Sequence, residues 1–287
     1  MILKELFQST KEKFQSNGIE TSALDARVLF CHALGLTHEQ FILSNERLLS
    51  GDDIKKINDA VQQRLDGMPV AKIIGEKEFY GRNFKTTIDT LDPRPDSETL
   101  IEAILDHYKH DSDIRMLDLG TGTGCLALTL LAEMPKARAI AVDQSKAALT
   151  VAKENAWKVE VEDRIVFAQS DWFSDVVGQF DLILSNPPYI PESDLPNLSR
   201  EVRLYDPVTA LIGGQDGLDP YRIIIPQSKN FLKPNGMLVF ELGQGQAEDI
   251  AEMLEANGFE NIFVKKDLAG ISRVVGGFLL QKQVDSL

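Results

Sequence analysis

Apolar residues recur at helical spacing from residue 3 to about residue 66. Short breakers divide this region into three stretches: Asn17-Gly18, Gly35 and Ser50-Gly51. Spacing of three and four residues places apolar side chains on one face of a helix, and glycine-containing breakers interrupt helices. The first part of the chain is therefore predicted to be a small helical bundle.

Residues 69–91 show a different pattern. The segments 72–75 and 78–80 precede Gly81-Arg82-Asn83, which favours a turn, and residues 84–88 then alternate between apolar and polar. This pattern is typical of a β-hairpin, and we expect the hairpin to join two domains.

The rest of the chain alternates between strand and helix patterns. The rigid segment Asp92-Pro93-Arg94-Pro95 breaks helices, so a helix is expected to begin near Ser97. Apolar strand-like runs follow at 114–119, 137–142, 165–168, 182–184, 237–242, 262–264 and 274–280, and helical stretches at 127–132, 145–157, 217–231 and 247–256. Alternating βα units with buried strands predict an α/β fold, an open parallel sheet with helices on both faces. The predicted domains are a helical domain (1–72), the hairpin linker (73–93) and an α/β domain (94–287).

Composition is ordinary for a globular protein, with 43% hydrophobic and 26% charged residues, which excludes disordered and fibrous classes. The net charge is −14, from 30 basic and 44 acidic residues. Such a body repels phosphate backbones unless basic residues cluster, and no such cluster is visible. Direct nucleic-acid binding is therefore not expected, and a basic protein partner would suit the charge better.

The cysteines and the amino-terminal segment restrict the function further. Cys31 and Cys125 lie far apart and outside any Cys-x-x-Cys, which fits neither a disulfide framework nor a zinc site, so no metal is expected. Lys4 and Glu5 interrupt the first apolar stretch, and no run of about 18 apolar residues occurs. We expect a cytoplasmic protein with no membrane attachment.

The first strand of the α/β domain ends in the segment Asp-Leu-Gly-Thr-Gly-Thr-Gly at 118–124. Gly120, Gly122 and Gly124 let the backbone approach a ligand and turn into a helix whose free N–H groups face it. A plain strand-to-helix turn is the alternative. A nicotinamide dinucleotide site needs a third glycine where Cys125 stands, which argues against NAD.

Two further strand ends carry acidic residues. Asp143 ends the next strand, where a carboxylate can accept hydrogen bonds from both hydroxyls of a ribose, although an aspartate in front of a helix can also be an N-cap. Asp171 and Trp172 follow a third strand. Asp171 could accept from an amino group and Trp172 could pack near a flat ring, unless the tryptophan belongs to the core.

The strongest signal is Asn186-Pro187-Pro188-Tyr189, directly after a strand. Consecutive prolines cannot extend a sheet, so the chain leaves it stiffly at the strand's carboxyl end. The Asn186 side-chain carbonyl and the Pro187 carbonyl could receive both hydrogens of an NH₂ group, while Tyr189 holds the attached planar group. A Pro-rich loop without function is the alternative.

These motifs resemble class I S-adenosylmethionine-dependent methyltransferases. The resemblance implies a Rossmann-like sheet and places S-adenosylmethionine in the loop at residues 118–124, with Asp143 at its ribose. The tetrapeptide resembles that of enzymes that methylate planar NH₂ nitrogens, both DNA adenine N6-methyltransferases and protein glutamine N5-methyltransferases, and does not choose between them.

Other segments resemble the release-factor glutamine methyltransferases, the HemK/PrmC family, over nearly the whole chain. The resemblance rests on Pro69-Val70-Ala71, Gly75, Glu78-Phe79-Tyr80-Gly81, Pro93-Arg94-Pro95-Asp96-Ser97-Glu98, Glu201-Val202, Tyr205, Pro207, Ala210-Leu211, Gly213-Gly214, Asp216-Gly217, Tyr221-Arg222, Asp267-Leu268-Ala269-Gly270 and Arg273-Val274-Val275. Departures are small: Ser97 and Lys72 stand where Thr and Tyr are common. The implied substrate is the glutamine of the Gly-Gly-Gln motif of peptide chain release factors, methylated on its side-chain nitrogen N5.

On this basis each motif receives an expected role. Gly120, Thr121, Gly122, Thr123 and Gly124 would contact the methionine moiety, Asp143 the ribose, and Asp171 and Trp172 the adenine region; Asn186 and Pro187 would orient the acceptor, and Pro188 and Tyr189 would wall it. The amino-terminal helices and the hairpin would dock the protein substrate, unless they are only a stabilising cap.

Four other interpretations stay open. A sister family methylates a glutamine of a ribosomal protein, and its motifs overlap these. A DNA adenine methyltransferase should carry a basic groove or a target-recognition domain, and neither is evident. A nicotinamide oxidoreductase needs the correctly spaced third glycine, and a non-catalytic binding module should have lost Asn186 or the glycines.

Overall fold

The computed structural model describes residues 1–280, which form eleven α-helices and nine β-strands. The helices are α1 (Leu3–Ser16), α2 (Ser22–Leu34), α3 (His38–Leu43), α4 (Gly51–Leu65), α5 (Val70–Ile74), α6 (Glu98–Leu105), α7 (Cys125–Glu133), α8 (Lys146–Lys158), α9 (Arg200–Tyr205), α10 (Asp219–Ser228) and α11 (Ala247–Ala256). The strands are β1 (Glu76–Phe79), β2 (Arg82–Lys85), β3 (Arg115–Leu119), β4 (Arg138–Asp143), β5 (Ile165–Gln169), β6 (Phe180–Ser185), β7 (Leu232–Glu241), β8 (Glu260–Lys266) and β9 (Ser272–Leu279).

The chain divides into two units, and the first is helical. It holds residues 1–76 together with 199–205, and the second holds 77–198 and the chain from Asp206 onward. The predicted helical amino-terminal region is thus confirmed. Its core is a cluster of buried apolar side chains in which the rings of Phe7, Phe30 and Phe41 meet edge to face.

One buried arginine organises the first unit. Arg64 on α4 is 6% exposed, and its guanidinium contacts Asp25 on α2 at 2.7 Å and Glu201 on α9 at 2.6 Å. Both carboxylates raise the pKa of Arg64, against the opposing effect of burial. The ion pair with Glu201 ties the short helix α9 to helices that come more than a hundred residues earlier.

The hairpin forms, but its turn lies earlier than expected. Tyr80 and Gly81 connect β1 and β2, with φ of 49° and 72°. Two consecutive residues with positive φ are the requirement of the turn that matches strand twist in a two-residue hairpin. The prediction of a turn at residues 81–83 was therefore wrong, since Arg82 and Asn83 belong to β2. Residues 72–74, expected in the hairpin, belong to α5 (Val70–Ile74), whose C-cap is Gly75 with φ of 77°.

The second unit is built on a seven-stranded sheet of order β5-β4-β3-β6-β7-β9-β8. All neighbouring pairs from β5 to β7 are parallel, whereas β9 is antiparallel to both β7 and β8. The expectation of an all-parallel sheet was therefore wrong for β9. Only residues 267–271 connect β8 to β9, and so short a connection permits only antiparallel pairing.

Four strands of the sheet end at one level. In the parallel ladders Leu119 pairs with both Val142 and Ser185, and Ser185 pairs with Phe240. Successive side chains of these strands enter two separate apolar clusters, one on each face, so that Leu182 and Leu184 belong to one cluster and Ile183 to the other. Burial on both faces explains why these strands are continuous apolar runs.

The boundaries of the two units differ from the predicted domain boundaries in two places. The hairpin beyond Glu76 belongs to the second unit, because the rings of Phe79 and Phe84 are buried in one of its apolar clusters. Residues 199–205 belong to the first unit, through the ion pair of Glu201 with Arg64. The predicted bounds of the helical domain, the linker and the α/β domain (1–72, 73–93 and 94–287) stay a prediction.

Within residues 1–280 the structure contains no helix with the length and apolar character needed to cross a membrane.

Replacing Arg64 with alanine should destabilise the first unit strongly. The substitution leaves the carboxylate of Asp25, which is 7% exposed, without its cation, and breaking a buried pair in this way costs about 3–5 kcal/mol. The free energy of unfolding, measured by urea titration, checks this. Arg47→Ala is the matched control, because Arg47 forms a more exposed pair with Asp53 and should lose less than about 1 kcal/mol. Equal losses in the two variants would contradict the structural role of Arg64.

Candidate active site

A cavity of about 560 Å³ lies in the second unit at the carboxyl edge of the sheet. This volume is within the range of about 300–1,000 Å³ of small-molecule sites. Of the predicted site residues, those that line it are Gly120, Thr121, Gly122, Thr123, Asp143, Asp171, Trp172, Asn186 and Pro188. The structure thus brings the glycine loop, Asp143, Asp171 and part of the Asn-Pro-Pro-Tyr segment together around one space.

The glycine loop starts at the end of β3 and is held by β4. The backbone N–H groups of Gly120 and Thr121 both donate to the Val142 carbonyl at 2.9 Å. Gly120 and Gly122 have φ of 72° and 55°, which is unfavourable for residues with a side chain. Their glycine identity therefore follows from the turn itself, and a β-carbon on Gly122 would still meet nothing within 4 Å.

Gly124 does not line the cavity. It is the N-cap of α7 with φ of 81°, and a β-carbon there would lie 2.8 Å from Leu128 Cδ1 and 3.3 Å from Ala152 Cβ. Its glycine identity is explained by close packing between α7 and α8. Contact with a ligand, expected from the sequence, remains a prediction for Gly124.

The carboxylate of Asp143 faces the glycine loop. Its Oδ2 accepts from the Gly122 backbone N–H at 2.9 Å and its Oδ1 from that of Ser145 at 2.8 Å. These bonds lower its pKa, but burial outweighs them and raises it. The N-cap of α8 is Ser145, whose hydroxyl accepts from Ala148, so Asp143 is not that cap. Each carboxylate oxygen keeps a further lone pair for a hydroxyl donor.

Asp171 and Trp172 lie on the cavity wall after β5. Asp171 is exposed, and Trp172 is half-buried with φ of 48°, in the left-handed region that side chains seldom adopt. This backbone conformation brings the indole ring to 3.8 Å from the position of a β-carbon on Gly120. The tryptophan thus lies against the glycine loop and is not enclosed in the core.

Asn186 follows β6 and lines the cavity. The Ser185 hydroxyl before it donates to the Leu119 carbonyl at 2.7 Å, which fixes the end of β6 to the end of β3. The Asn186 Nδ2 donates to the Ser97 hydroxyl at 3.4 Å. Ser97 is 3% exposed and was not predicted as a site residue, because it comes 89 positions earlier in the chain.

Pro187 and Tyr189 are not among the residues that line the cavity. Pro187 is buried, and no hydrogen bond reaches its carbonyl oxygen within the described residues. The ring of Tyr189 packs against the apolar cluster below α10 and α11, and its carbonyl accepts from the Gln246 side chain at 2.9 Å. The expected stacking role of Tyr189 stays a prediction.

A second segment supports the Asn-Pro-Pro-Tyr backbone. Ile190 donates to the Leu211 carbonyl at 2.9 Å and accepts from the Gly213 N–H at 3.0 Å. A β-carbon on Gly213 would collide with the Pro188 carbonyl and would lie 2.8 Å from the Gly217 carbonyl oxygen. This segment also lines the cavity, through Pro207, Thr209, Ala210, Ile212, Gly213 and Gly214. In the sequence, Gly213-Gly214 was the local signal that this segment supports the Asn-Pro-Pro-Tyr backbone.

Two buried carboxyl groups stand at strand ends beside the site. Asp118 Oδ2 accepts from the Thr121 hydroxyl at 2.6 Å, and burial raises the pKa of Asp118 to about 7. Burial likewise raises the pKa of Glu241, the last residue of β7, to about 7. The sequence analysis assigned no role to either carboxyl group. An acidic residue next to apolar strand residues is nevertheless a signal that the sequence shows.

The residues around the cavity fit S-adenosylmethionine. The glycine loop leaves open space where its side chains would be, Asp143 offers acceptors, and Trp172 offers an aromatic surface. The thiol of Cys125 also lines the cavity, but burial raises its pKa to about 12, so it stays protonated. No cluster of residues suited to a metal ion occurs within residues 1–280.

Comparison with known proteins gives a consistent result for both units. The PrmC N-terminal domain family matches residues 5–75, and the Methyltransferase small domain family matches residues 93–199. The chain is 42% identical over 273 residues to the release factor glutamine methyltransferase of Rhodospirillum rubrum, covering 95% of this chain and 84% of that protein. It is 44% identical over 262 residues to the enzyme of the same name from Cereibacter sphaeroides, covering 91% and 93%.

Solved structures share the fold at low sequence identity. A methyltransferase from Pyrococcus furiosus aligns with a TM-score of 0.54 and 15% identity, covering 78% of this chain and 100% of that one. The hMettl16 catalytic domain, solved with an RNA hairpin, aligns with a TM-score of 0.57 and 17% identity, covering 78% and 83%. The predicted Rossmann-like methyltransferase fold is confirmed.

Replacing Asp118 with asparagine should make stability less dependent on pH. The folded protein holds the Asp118 proton up to about pH 7, whereas the unfolded chain releases it near the ordinary value of 3.8. This group's contribution to stability is therefore complete below about pH 4 and is lost as pH rises towards 7, by at most about 1.4 kcal/mol per pH unit. In urea unfolding at several pH values, the free energy of unfolding of Asp118→Asn should rise relative to that of the parent protein between about pH 4 and pH 7.

Asp216→Asn is the control for that measurement. Asp216 is paired with Arg222, and this partner lowers its pKa to about 2, so its replacement should not stabilise the protein as pH rises. Glu241 remains in both variants and keeps part of the pH dependence. If the difference between Asp118→Asn and the parent protein is constant from pH 4 to pH 7, the raised pKa is wrong.

Proposed function

The chain belongs to the release factor glutamine methyltransferase family, and from this premise we propose that it methylates the side-chain nitrogen N5 of the glutamine in the Gly-Gly-Gln motif of release factors. The methyl donor in this proposal is S-adenosylmethionine. The observation that carries the proposal is that Asn186 lines the same cavity as Asp143, Trp172 and the glycine loop. An acceptor at Asn186 and a donor on the loop would share one enclosed space.

The cofactor would be held by groups from three strand ends. Gly120, Thr121, Gly122 and Thr123 would surround the methionine portion, and Gly124 would place the start of α7 behind them. Asp143 would accept from the ribose hydroxyls with the lone pairs that Gly122 and Ser145 leave free. Trp172 would pack against the adenine, and the exposed Asp171 would accept from its amino group.

The acceptor is a weak nucleophile, because an amide nitrogen shares its lone pair with the carbonyl group. S-adenosylmethionine, when bound, supplies an electrophilic methyl group on a positively charged sulfur. The chain's own contribution is then to place the nitrogen and to stabilise the positive charge that develops on it.

Two oxygen atoms would do this. The Asn186 side-chain carbonyl and the Pro187 carbonyl would each accept one hydrogen of the substrate's NH₂ group, leaving the face of the nitrogen directed at the methyl group. The Pro187 carbonyl makes no hydrogen bond within the described residues, which is consistent with this role. No strong base is required, because a methylated, protonated amide gives its proton readily to water.

Pro188 and Tyr189 would form the walls of the acceptor site. Pro188 lines the cavity and would limit the movement of the substrate amide. Tyr189, whose carbonyl accepts from the Gln246 side chain, would approach the acceptor from this position and stack on its planar amide.

The partner in this proposal is a protein and not a nucleic acid. The net charge of −14 disfavours a phosphate backbone along the surface. We also propose a cytoplasmic location, which suits the two free cysteines, Cys31 and Cys125.

The first unit would dock the release factor. It carries exposed apolar side chains that its own core does not use, among them Ile42, Leu43 and Leu48 at 52%, 86% and 76% exposure. Contiguous exposed apolar groups are typical of protein-binding surfaces, and in this proposal these three side chains contribute to one such surface.

Incubation with labelled S-adenosylmethionine tests the function. The panel contains release factor, ribosomal proteins and duplex DNA, followed by mass spectrometry of the labelled residue. One methyl group on the glutamine of the Gly-Gly-Gln motif is expected. Labelling of a ribosomal-protein glutamine or of adenine would replace the proposed substrate.

Asn186→Ala should methylate release factor about 10²–10³-fold more slowly, because it removes one of the two acceptors, while cofactor affinity changes less. Parental rates in this variant would rule out the oxygen clamp.

Substitution of Leu43 and Leu48 together by serine tests docking by the first unit. We expect a higher KM for release factor, by about 15-fold if each leucine buries the equivalent of one CH₂ group, about 0.8 kcal/mol, and an unchanged KM for S-adenosylmethionine. Val177→Ser is the control, since Val177 is 79% exposed but precedes β6 at the opposite edge of the sheet. An unchanged KM for release factor in the double variant would remove this surface from the docking role.

A further inference from the structure

Glu241 is a buried carboxyl group for which the proposed reaction has no use so far. It ends β7, is 1% exposed, and its Oε2 has no hydrogen-bond partner within the described residues. An unpaired carboxylate oxygen in an apolar interior is costly, so its retention calls for a role.

The sheet places Glu241 beside Asn186. Phe240 pairs with Ser185 in the parallel ladder of β6 and β7, and Asn186 and Glu241 are the residues that follow this pair. Burial raises the pKa of Glu241, whereas Ser97, the charge of Arg273 and Asn186 lower it, so the side chains of Ser97 and Asn186 lie near this carboxyl group. Asn186 Nδ2 also donates to the Ser97 hydroxyl at 3.4 Å. Ser97, Asn186 and Glu241 thus form one polar cluster, in which Ser97 and Glu241 are buried and Asn186 is half-buried.

This cluster restricts the orientation of the Asn186 side chain. In its ionised form, which predominates above about pH 7, the Glu241 carboxylate accepts hydrogen bonds and donates none, so the edge of the Asn186 amide that faces it is then the NH₂ group. The Oδ1 atom then points to the other side. If the Asn186 amide rotated by half a turn, its Oδ1 atom would face the Glu241 carboxylate. The Asn186 NH₂ group would then face the substrate nitrogen, which needs an oxygen acceptor at that position.

We propose that Glu241 is a positioning residue that holds the Asn186 amide with its Oδ1 atom directed at the substrate nitrogen. This inference rests on the proposed clamp and adds the group that sets its orientation. Glu241 touches neither substrate nor cofactor in this proposal and acts only through Asn186.

Glu241→Gln is the direct test, because it preserves size and shape but offers both a donor and an acceptor to Asn186. We expect kcat for release-factor methylation to fall by about tenfold to 10²-fold, the scale of effect that misplacing a reacting group can have. The KM for S-adenosylmethionine and its Kd should change less than about threefold, a split assigned to the chemical step. Glu248→Gln, on the exposed face of α11, is the matched control and should keep the parental kcat.

A purely structural Glu241 gives a different result. Replacing a buried carboxylate by an isosteric amide is often neutral or stabilising, so kcat would then stay at the parental value while the melting temperature stays the same or rises. That outcome would overturn the positioning role. If the wild-type chain itself failed to methylate release factor, the proposed function would be at fault instead.

A double variant separates action through Asn186 from an independent effect. If Glu241 acts only by orienting Asn186, adding Glu241→Gln to Asn186→Ala should reduce kcat by less than about twofold more. Multiplied losses would overturn the proposal. Should Glu241→Gln not fold, Ser97→Ala probes the same cluster, and a fall in kcat at constant cofactor Kd is again expected. A parental kcat for Ser97→Ala in that case would overturn it as well.

Discussion

The alignment of four strand ends is the constraint on which the site depends. Leu119, Val142, Ser185 and Phe240 occupy one level of the parallel ladders. The residues that follow them are Gly120, Asp143, Asn186 and Glu241, so a turn, two acidic groups and an amide leave the sheet at the same edge. A slip of one residue in any ladder would exchange the faces of that strand and displace its polar terminus. The apolar clusters on both faces, which fix this register, therefore also fix the chemistry.

Local pattern was sufficient to predict the parts of the site that are contiguous in the chain. The strand before Gly120, the strand before Asp143 and the strand before Asn186 are short apolar runs, and each ends at a residue that sheets do not favour. Parallel order then implies that these ends meet at one edge. The direction of β9 was missed although the sequence carries its signal. The apolar runs at 262–264 and 274–280 leave only nine residues between them, which is too few for a parallel crossover.

Contacts between distant residues explain most of what sequence reasoning missed. Ser97 reaches Asn186 across 89 positions, and Arg64 reaches Glu201 across 137. Neither partner carries a local signal, because a lone serine before a helix suggests a cap and a lone arginine on a helix suggests an exposed face. The segment 199–205 shows the consequence: it follows the Asn-Pro-Pro-Tyr loop in the chain but belongs to the first unit. Chain order alone predicts one continuous catalytic domain.

The two buried carboxyl groups show where stability and function oppose each other. Asp118 is the penultimate residue of β3 and Glu241 is the last residue of β7, and burial raises the pKa of each to about 7. Above that pH each adds a charge to the interior of the second unit, which weakens folding. An apolar residue at position 118 or 241 would remove this loss of stability. It would also remove the acceptor that holds Thr121, at position 118, or the one that faces Asn186, at position 241. Departures from local rules that lower stability and also position a reactive group are typical of functional sites. By this argument we expect the chain's chemistry at the carboxyl edge of β3, β6 and β7, and not at the outer strands.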